Sequence, residues 1–243
     1  MTSIKTGLRK ILVNSFFAHM RRSYSQSGED IIVSYLFERM GIKKPTYLDI
    51  GANHPIALSN TYRLYTLGCR GVLIEPNPFL YKKLLQKRKG DKCINIGIAF
   101  DENTEADFYI FPEKYHGLNT FSKKEADFWT NTGNEEIGKQ NIEKIIRIPL
   151  VNINEIMGEY FTPYPNFVSI DVEGLDLQIV KTIDFEKFQP EVFCIETFEF
   201  IEHNMETKNK EIIYFFESNG YFVYADTYVN TIFCRKDAHK KFV

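Results

Sequence analysis

Neither one sign of charge, nor cysteine, nor unbroken apolar sequence is abundant in this chain, and each shortage excludes something. The 243 residues carry 30 Lys and Arg against 32 Asp and Glu, a formal net charge of −2 with a pI near 6.2. So balanced a surface has no strong field to gather nucleic acid. Four cysteines, Cys69, Cys93, Cys194 and Cys234, are scattered without a C-x-x-C pair. That spacing argues against a disulfide framework, and buried free thiols in a reducing, cytoplasmic setting are expected. No apolar run approaches the ~18–20 residues of a membrane span, and there is no internal repeat or low-complexity segment. Phosphate-cradling glycines are missing too: neither G-x-x-x-x-G-K-[ST] nor G-x-G-x-x-G occurs. What remains, 44% hydrophobic and 26% charged, is ordinary for a globule, and the length suits one α/β domain with a full core.

The most informative stretch is Tyr47-Leu48-Asp49-Ile50-Gly51-Ala52-Asn53-His54-Pro55. A short apolar run ends in an acid, a glycine and an amide, which reads as a buried strand breaking into a turn where the backbone passes close to a ligand. A helix should follow, its free N–H groups facing that ligand. Val72-Leu73-Ile74-Glu75-Pro76 repeats the pattern, and an acid at the tip of a second strand is where doubly wound folds hold ribose hydroxyls. The first turn has only Gly51, with Asn53 and Pro55 where a dinucleotide fingerprint needs more glycines. A ribose-bearing ligand without pyrophosphate fits better, and S-adenosylmethionine is such a ligand. A plain strand–helix turn is the alternative; a dehydrogenase is disfavoured by the missing glycines.

DIGANHP, SNTYRLYTLGCRGVLIEPNP and FVSIDVEG, with YSQSGEDIIVSYLF upstream and EVFCIET downstream, closely resemble the FkbM-type S-adenosylmethionine-dependent methyltransferases. The likeness runs from about Tyr24 to about Cys234. Cys69 stands where relatives often carry an aromatic, a departure expected to affect packing only. The resemblance implies a Rossmann-like class I methyltransferase fold: a seven-stranded, mostly parallel sheet with helices on both faces. It also implies that the segment around Gln26 packs beside the cofactor pocket and that the residues after the third strand lie near the adenine. Asp101 is then a candidate acceptor for the exocyclic amine, with a surface-turn acid as the alternative.

Patterning assigns strands to Thr46–Ile50, Gly71–Glu75, Lys92–Ile98, Phe167–Asp171 and Val192–Ile195, with Phe108–Ile110 as a short one. Helices are expected over about Ser59–Leu67, Pro78–Arg88 and Glu206–Asn219, as a short one after Val151–Glu155, and from Gly174 to about Thr182. Lys82, Lys83, Lys87, Arg88 and Lys89 read as a solvated basic end. Tyr221–Ala225 and Thr231–Arg235 are too close for a crossover helix, so they should form an antiparallel hairpin edge. Ser27 is expected to cap a helix with Asp30 in the capping-box position. Residues 1–23 form a separate amphipathic, basic segment, either packed on the domain or resting on a membrane or partner. Residues 24–243 are expected to be a single methyltransferase domain with an insertion at about 113–140. Its irregular stretch Gly117–Gly138, with Phe121, Phe128 and Trp129, is a candidate acceptor-binding lid, or else an added helix with its own apolar face.

The acids Asp49, Glu75, Asp171 and Glu196 all fall at strand carboxyl ends, where this fold builds its site. Asp49 and Gly51 are assigned to the cofactor's amino-acid end and Glu75 to its ribose, with Asn53 in the first turn and Asn77 at the start of the following helix beside them. Asn77-Pro78-Phe79 resembles half of a base-methylation signature, but follows the wrong strand. Asp171, Glu173 and Glu196 are the candidate catalytic residues for methylating a hydroxyl of a sugar, glycan or small molecule, where the acceptor must lose a proton to a base or a metal. Asp171 and Glu196 on adjacent strand tips could share Mg²⁺; alternatively Asp171 and Glu173 merely cap the next helix. His54 and His203 are alternative bases. Competing functions are methylation at nitrogen of a small molecule or protein, and S-adenosylmethionine binding without turnover.

Overall fold

A computed structural model describes residues 21–201 and 205–240. The amphipathic reading of residues 1–23 lies, but for its last three positions, outside the described residues, and so does His203. The elements are α1 (Glu29–Arg39), β1 (Tyr47–Ile50), α2 (Tyr62–Thr66), β2 (Gly71–Ile74), α3 (Pro78–Lys87), β3 (Lys92–Ile94), β4 (Gly97–Ala99) and β5 (Glu105–Ile110). A 3₁₀ turn at Glu113–Leu118 precedes α4 (Lys123–Asn131), β6 (Lys144–Asn152), α5 (Ile153–Tyr160), β7 (Phe167–Ile170), α6 (Asp176–Val180) and β8 (Val192–Glu196). The chain continues through β9 (Phe198–Ile201), β10 (Met205–Lys208), α7 (Lys210–Ser218), β11 (Tyr221–Asp226), β12 (Asn230–Arg235) and α8 (Lys236–Lys240).

The main sheet has seven strands in the order β11-β12-β8-β7-β1-β2-β3. β3, β2, β1, β7 and β8 pair in parallel, and β12 runs antiparallel to both β8 and β11. The inner strands are continuous apolar runs because both their faces are covered. Leu48, Ile50, Val168, Ile170 and Phe193 face a core shared with Ile153, Ile156 and Met157 of α5, Ile179 of α6 and Phe216 of α7. Tyr47, Leu73, Phe167 and Cys194 face the opposite core, with Val33, Leu36 and Phe37 of α1, Leu64 of α2 and Leu84 of α3. All four cysteines are buried free thiols. Among the described residues no helix is long and apolar enough to cross a membrane.

Several elements differ from expectation. The predicted strand Lys92–Ile98 is two strands. The Asn95 side chain donates to the carbonyls of Glu75 and Pro76 at 2.8 Å, pinning a break after which β4 joins a second sheet, β4-β6-β5. β6 was not expected, since Pro149 lies inside it and proline cannot donate to a ladder. The predicted helix at Glu206 starts only at Lys210, capped by Asn209, whose side chain accepts from the Ile212 N–H; the residues before it form β10. Ser27 does not cap α1: Gly28 occupies that position at a φ of 94°, with no side-chain cap. Asp30 instead accepts from Ser23 Oγ at 2.7 Å, the Tyr24 N–H at 2.8 Å and Ser25 Oγ at 3.0 Å, anchoring the segment before the helix. The irregular stretch within 113–140 contains α4, which buries Ala126 and Trp129 with Phe111 and Leu118 in a small core of its own.

Candidate active site

The tips of β1, β2, β7 and β8 open into a cavity of about 460 Å³. Its floor is the β1 turn. Gly51 adopts a φ of 78°, and a Cβ there would lie 1.8 Å from the Asp171 carbonyl oxygen. Only glycine lets this turn pass so close to the end of β7. Asp49 lines the cavity and accepts from Thr61 Oγ1 at 2.5 Å. Burial pushes its carboxyl up to about 6, against the pull of that hydrogen bond and of Arg88.

Glu75 ties two loops together. Its Oε2 accepts from the Asn53 N–H and its Oε1 from the Asn77 N–H, both at 2.7 Å. Each oxygen keeps a second lone pair for a ligand hydroxyl. Burial raises this carboxyl to about 7, opposed by those two N–H donors. Asn53 lines the cavity at a left-handed φ of 49°, a conformation asparagine tolerates. Gln26 is exposed at the cavity wall. Two expected cofactor residues lie outside this wall. The Asn77 side chain caps α3, accepting from the N–H groups of Phe79 and Leu80. Asp101 accepts from the N–H and Nδ2 of Asn103 in an exposed turn.

Asp171, Glu173 and Glu196 come together at the neighbouring tips and line the same cavity. Asp171 and Glu196 lie within each other's reach, an interaction that favours the charged form of Asp171 and the neutral form of Glu196. Burial and then the Asp49 charge raise the Asp171 carboxyl to about 6; burial and then the charges of Asp171, Glu173 and Asp176 raise Glu196 well above its ordinary range. Glu173, at a left-handed φ of 55°, is raised well above the usual range by burial and by the charges of Asp171, Asp176 and Glu125. Asp176, buried behind them, accepts from the Val172 N–H at 3.3 Å; it caps the turn in place of the expected Asp171 and Glu173.

The Glu173 shift has a consequence for stability. A carboxyl that holds its proton more tightly folded than unfolded destabilises the fold as pH rises above its ordinary value of 4.5. Glu173→Gln is therefore expected to melt a few degrees higher than wild type at pH 8 and much closer to it at pH 5. Scanning calorimetry at the two pH values checks this. A lower melting point at pH 8 would show that the carboxylate is favourably paired.

His54 lies outside the cavity lining and braces its own turn, its Nδ1 accepting from the N–H groups of Ile56 and Ala57 at 3.2 and 2.9 Å. Sequence reasoning missed a different set of residues. Glu29 accepts from Thr227 Oγ1 at 2.6 Å, Asn230 Nδ2 at 3.1 Å and the Ser27 N–H at 2.8 Å. Burial alone would raise its carboxyl, but these bonds outweigh it and hold it low. Five buried side-chain polar atoms have no partner among the described residues, and four of them belong to cavity-lining residues: Asn53 Oδ1, His116 Nδ1, Asn119 Nδ2 and Asn230 Oδ1. An unpaired buried polar atom costs about 1–3 kcal/mol, so their gathering here marks a place built for a ligand. His116 and Asn119 belong to the insertion, which with Trp129, Asn134 and Glu136 forms the outer wall.

The model of the FkbM methyltransferase domain matches residues 49–223, well over half of the chain. The chain belongs to this family. It is an S-adenosylmethionine-dependent methyltransferase, and the matched span contains every strand-tip acid described above. No curated protein matches the chain. Among solved structures it is similar to a putative RNA methyltransferase from Pyrococcus horikoshii, at 11% identity and a TM-score of 0.41, covering 88% of each chain. It is also similar to the Burkholderia thailandensis 1,6-didemethyltoxoflavin-N1-methyltransferase bound to its substrate and S-adenosylhomocysteine. That match has 10% identity and a TM-score of 0.39, covering 96% of this chain and 88% of that one. A precorrin-6y C5,15-methyltransferase from Geobacter metallireducens matches at 12% identity and 0.41, covering 85% and 88%.

Proposed function

We propose that this methyltransferase acts on a hydroxyl group of a sugar, a glycan or a small molecule, with Asp171 as the base. The observation that carries this reading is the meeting of Asp171 and Glu196 at the ends of the paired strands β7 and β8 in the cavity wall. S-adenosylmethionine, when bound, supplies a methyl group already activated by its sulfonium. Glu75 and Asn53 would hold the ribose side, and Asp49, Gly51 and Gln26 the amino-acid side. Asp171 takes the acceptor's proton as the oxygen attacks, while Glu196 keeps Asp171 oriented and Glu173 closes the polar wall. Alignment of acceptor and methyl group is the larger contribution, on the order of 7–11 kcal/mol. Residues 24–243 act as one unit, with the 113–140 insertion as the acceptor lid.

A shared Mg²⁺ is not part of this mechanism. Among the described residues no three Asp, Glu, His or Cys side chains form a group that could hold a metal ion. Methylation at nitrogen is the second reading, because an acidic wall also suits an amine.

Calorimetry on the full chain tests the cofactor assignment. Micromolar-range binding of S-adenosylmethionine and S-adenosylhomocysteine is expected, without comparable NADH binding. Glu75→Ala should weaken the cofactor by about 1.5–3 kcal/mol, roughly 10- to 150-fold, while remaining folded. Tight NADH binding with no response to S-adenosylmethionine would overturn the assignment.

A further inference from the structure

The cavity wall is one-sided in charge. Asp49, Glu75, Glu136, Asp171, Glu173 and Glu196 all line it, and no Lys or Arg does among the described residues. Three cations outside the lining are engaged elsewhere: Arg88 with Asp91 at 2.8 Å, Lys83 with Glu113 at 2.9 Å and Lys208 with Asp226 at 2.9 Å. His116 is held towards its neutral form, chiefly by burial.

Independent of charge, the wall carries neutral groups whose orientation is fixed. Asn230 is 3% exposed. A carboxylate only accepts, so the bond to Glu29 takes its amide nitrogen and leaves the unpartnered Oδ1 for the cavity. Asn119 is the converse: its Oδ1 accepts from the Phe111 N–H at 2.8 Å, which leaves the unpartnered Nδ2 as a donor. A fixed acceptor and a fixed donor suit hydroxyl or amide groups. A phosphate, which presents acceptors and negative charge, meets the acceptors Asn230 Oδ1 and Asp171 and finds no Lys or Arg in the lining to pair with. The cofactor brings its own carboxylate, but together with a sulfonium and an ammonium.

We propose that the acceptor carries no phosphate or other anionic group near the methylated position when it enters this cavity. This inference rests on the hydroxyl-methylating reading above and narrows its substrate class. Methylation then follows the transfer step that leaves a nucleoside diphosphate behind, and nucleotide-activated sugars are not substrates.

The test uses the full chain and two sets of probes. With S-adenosylhomocysteine bound, a methyl hexoside and the same hexoside carrying a monophosphate compare the acceptor side of the cavity, lined by Asp171, Glu173 and Glu196. By calorimetry at pH 8 the monophosphate is expected to bind about tenfold more weakly or worse, and Asp171→Asn should narrow that gap. Equal binding of the two overturns the inference. The second arm follows S-adenosylhomocysteine release with methyl glycosides and oligosaccharides against hexose 1-phosphates and UDP-hexoses. Release confined to the unphosphorylated set supports the inference, and release with a UDP-hexose overturns it. Silence in both sets leaves the decision to the binding comparison, in which equal affinity overturns the inference. Failure to bind S-adenosylmethionine at all would instead sink the underlying site assignment, which separates the two failures.

Discussion

Arg88→Met is expected to destabilise the fold by about 3–5 kcal/mol, the cost of leaving a buried charge without its partner. Arg88 is 1% exposed, and its Nε donates to Asp91, itself buried, at 2.8 Å. Its remaining donors reach Tyr47 Oη at 3.2 Å, Thr61 Oγ1 at 3.0 Å, Ser59 Oγ at 3.5 Å and the Pro55 carbonyl at 3.3 Å. The ring of Tyr65 stacks 4.8 Å from the guanidinium. One side chain thus joins the end of α3 to β1 and to the whole cofactor turn, and Thr61 passes the restraint to Asp49. Total stability of a domain is only about 5–15 kcal/mol, so the variant should be marginal at 25 °C. Urea unfolding measures the loss, and calorimetry at low temperature should show weaker S-adenosylmethionine binding as the turn loosens. A loss below 1 kcal/mol would mean that water or another group compensates Asp91, contrary to this packing.

Arg88 also shows what the sequence conceals. It closes a run of lysines that reads as a solvated face, yet Leu80, Leu84 and Arg88 stand four residues apart on the buried face of α3. That spacing was the available signal, outweighed by composition. The strand-tip acids were legible because an apolar run ending in an acid marks a strand's carboxyl end by itself. Asp49, Glu75, Asp171 and Glu196 all line the cavity. Glu29 and Asn230 were not legible: 201 residues separate them, and the packing of α1 on β12 brings them together. β10 was misread because Met-Glu-Thr-Lys favours helix locally, while pairing with β9 overrides that preference. Asp101 and Asn77 have the right chemistry near the right strands, but their own backbone neighbours use it.

Asp171→Asn is expected to lower turnover by about two to four orders of magnitude, the size of an acid–base contribution, with cofactor affinity nearly unchanged. The substitution preserves shape and removes the charge beside Glu196. Burial raises the Asp171 carboxyl above its ordinary range, as does the nearby Asp49 charge. Wild-type turnover should therefore climb with pH past the usual carboxylate range as Asp171 loses its proton, and the Asn variant should lack that limb. Glu196→Gln separates the two acids. Its amide can still donate to Asp171, so the loss should be about tenfold or less if Glu196 orients the base, and comparable to that of Asp171→Asn if Glu196 is the base itself. Chelation adds a third comparison: turnover is expected to be indifferent to EDTA, and loss restored by Mg²⁺ would replace the direct base with a metal. The acceptor for these assays comes from the unphosphorylated glycosides and oligosaccharides that release S-adenosylhomocysteine. An Asn variant as active as wild type, with the same pH profile, would leave Asp171 a structural acid and move the search for the base to Glu173.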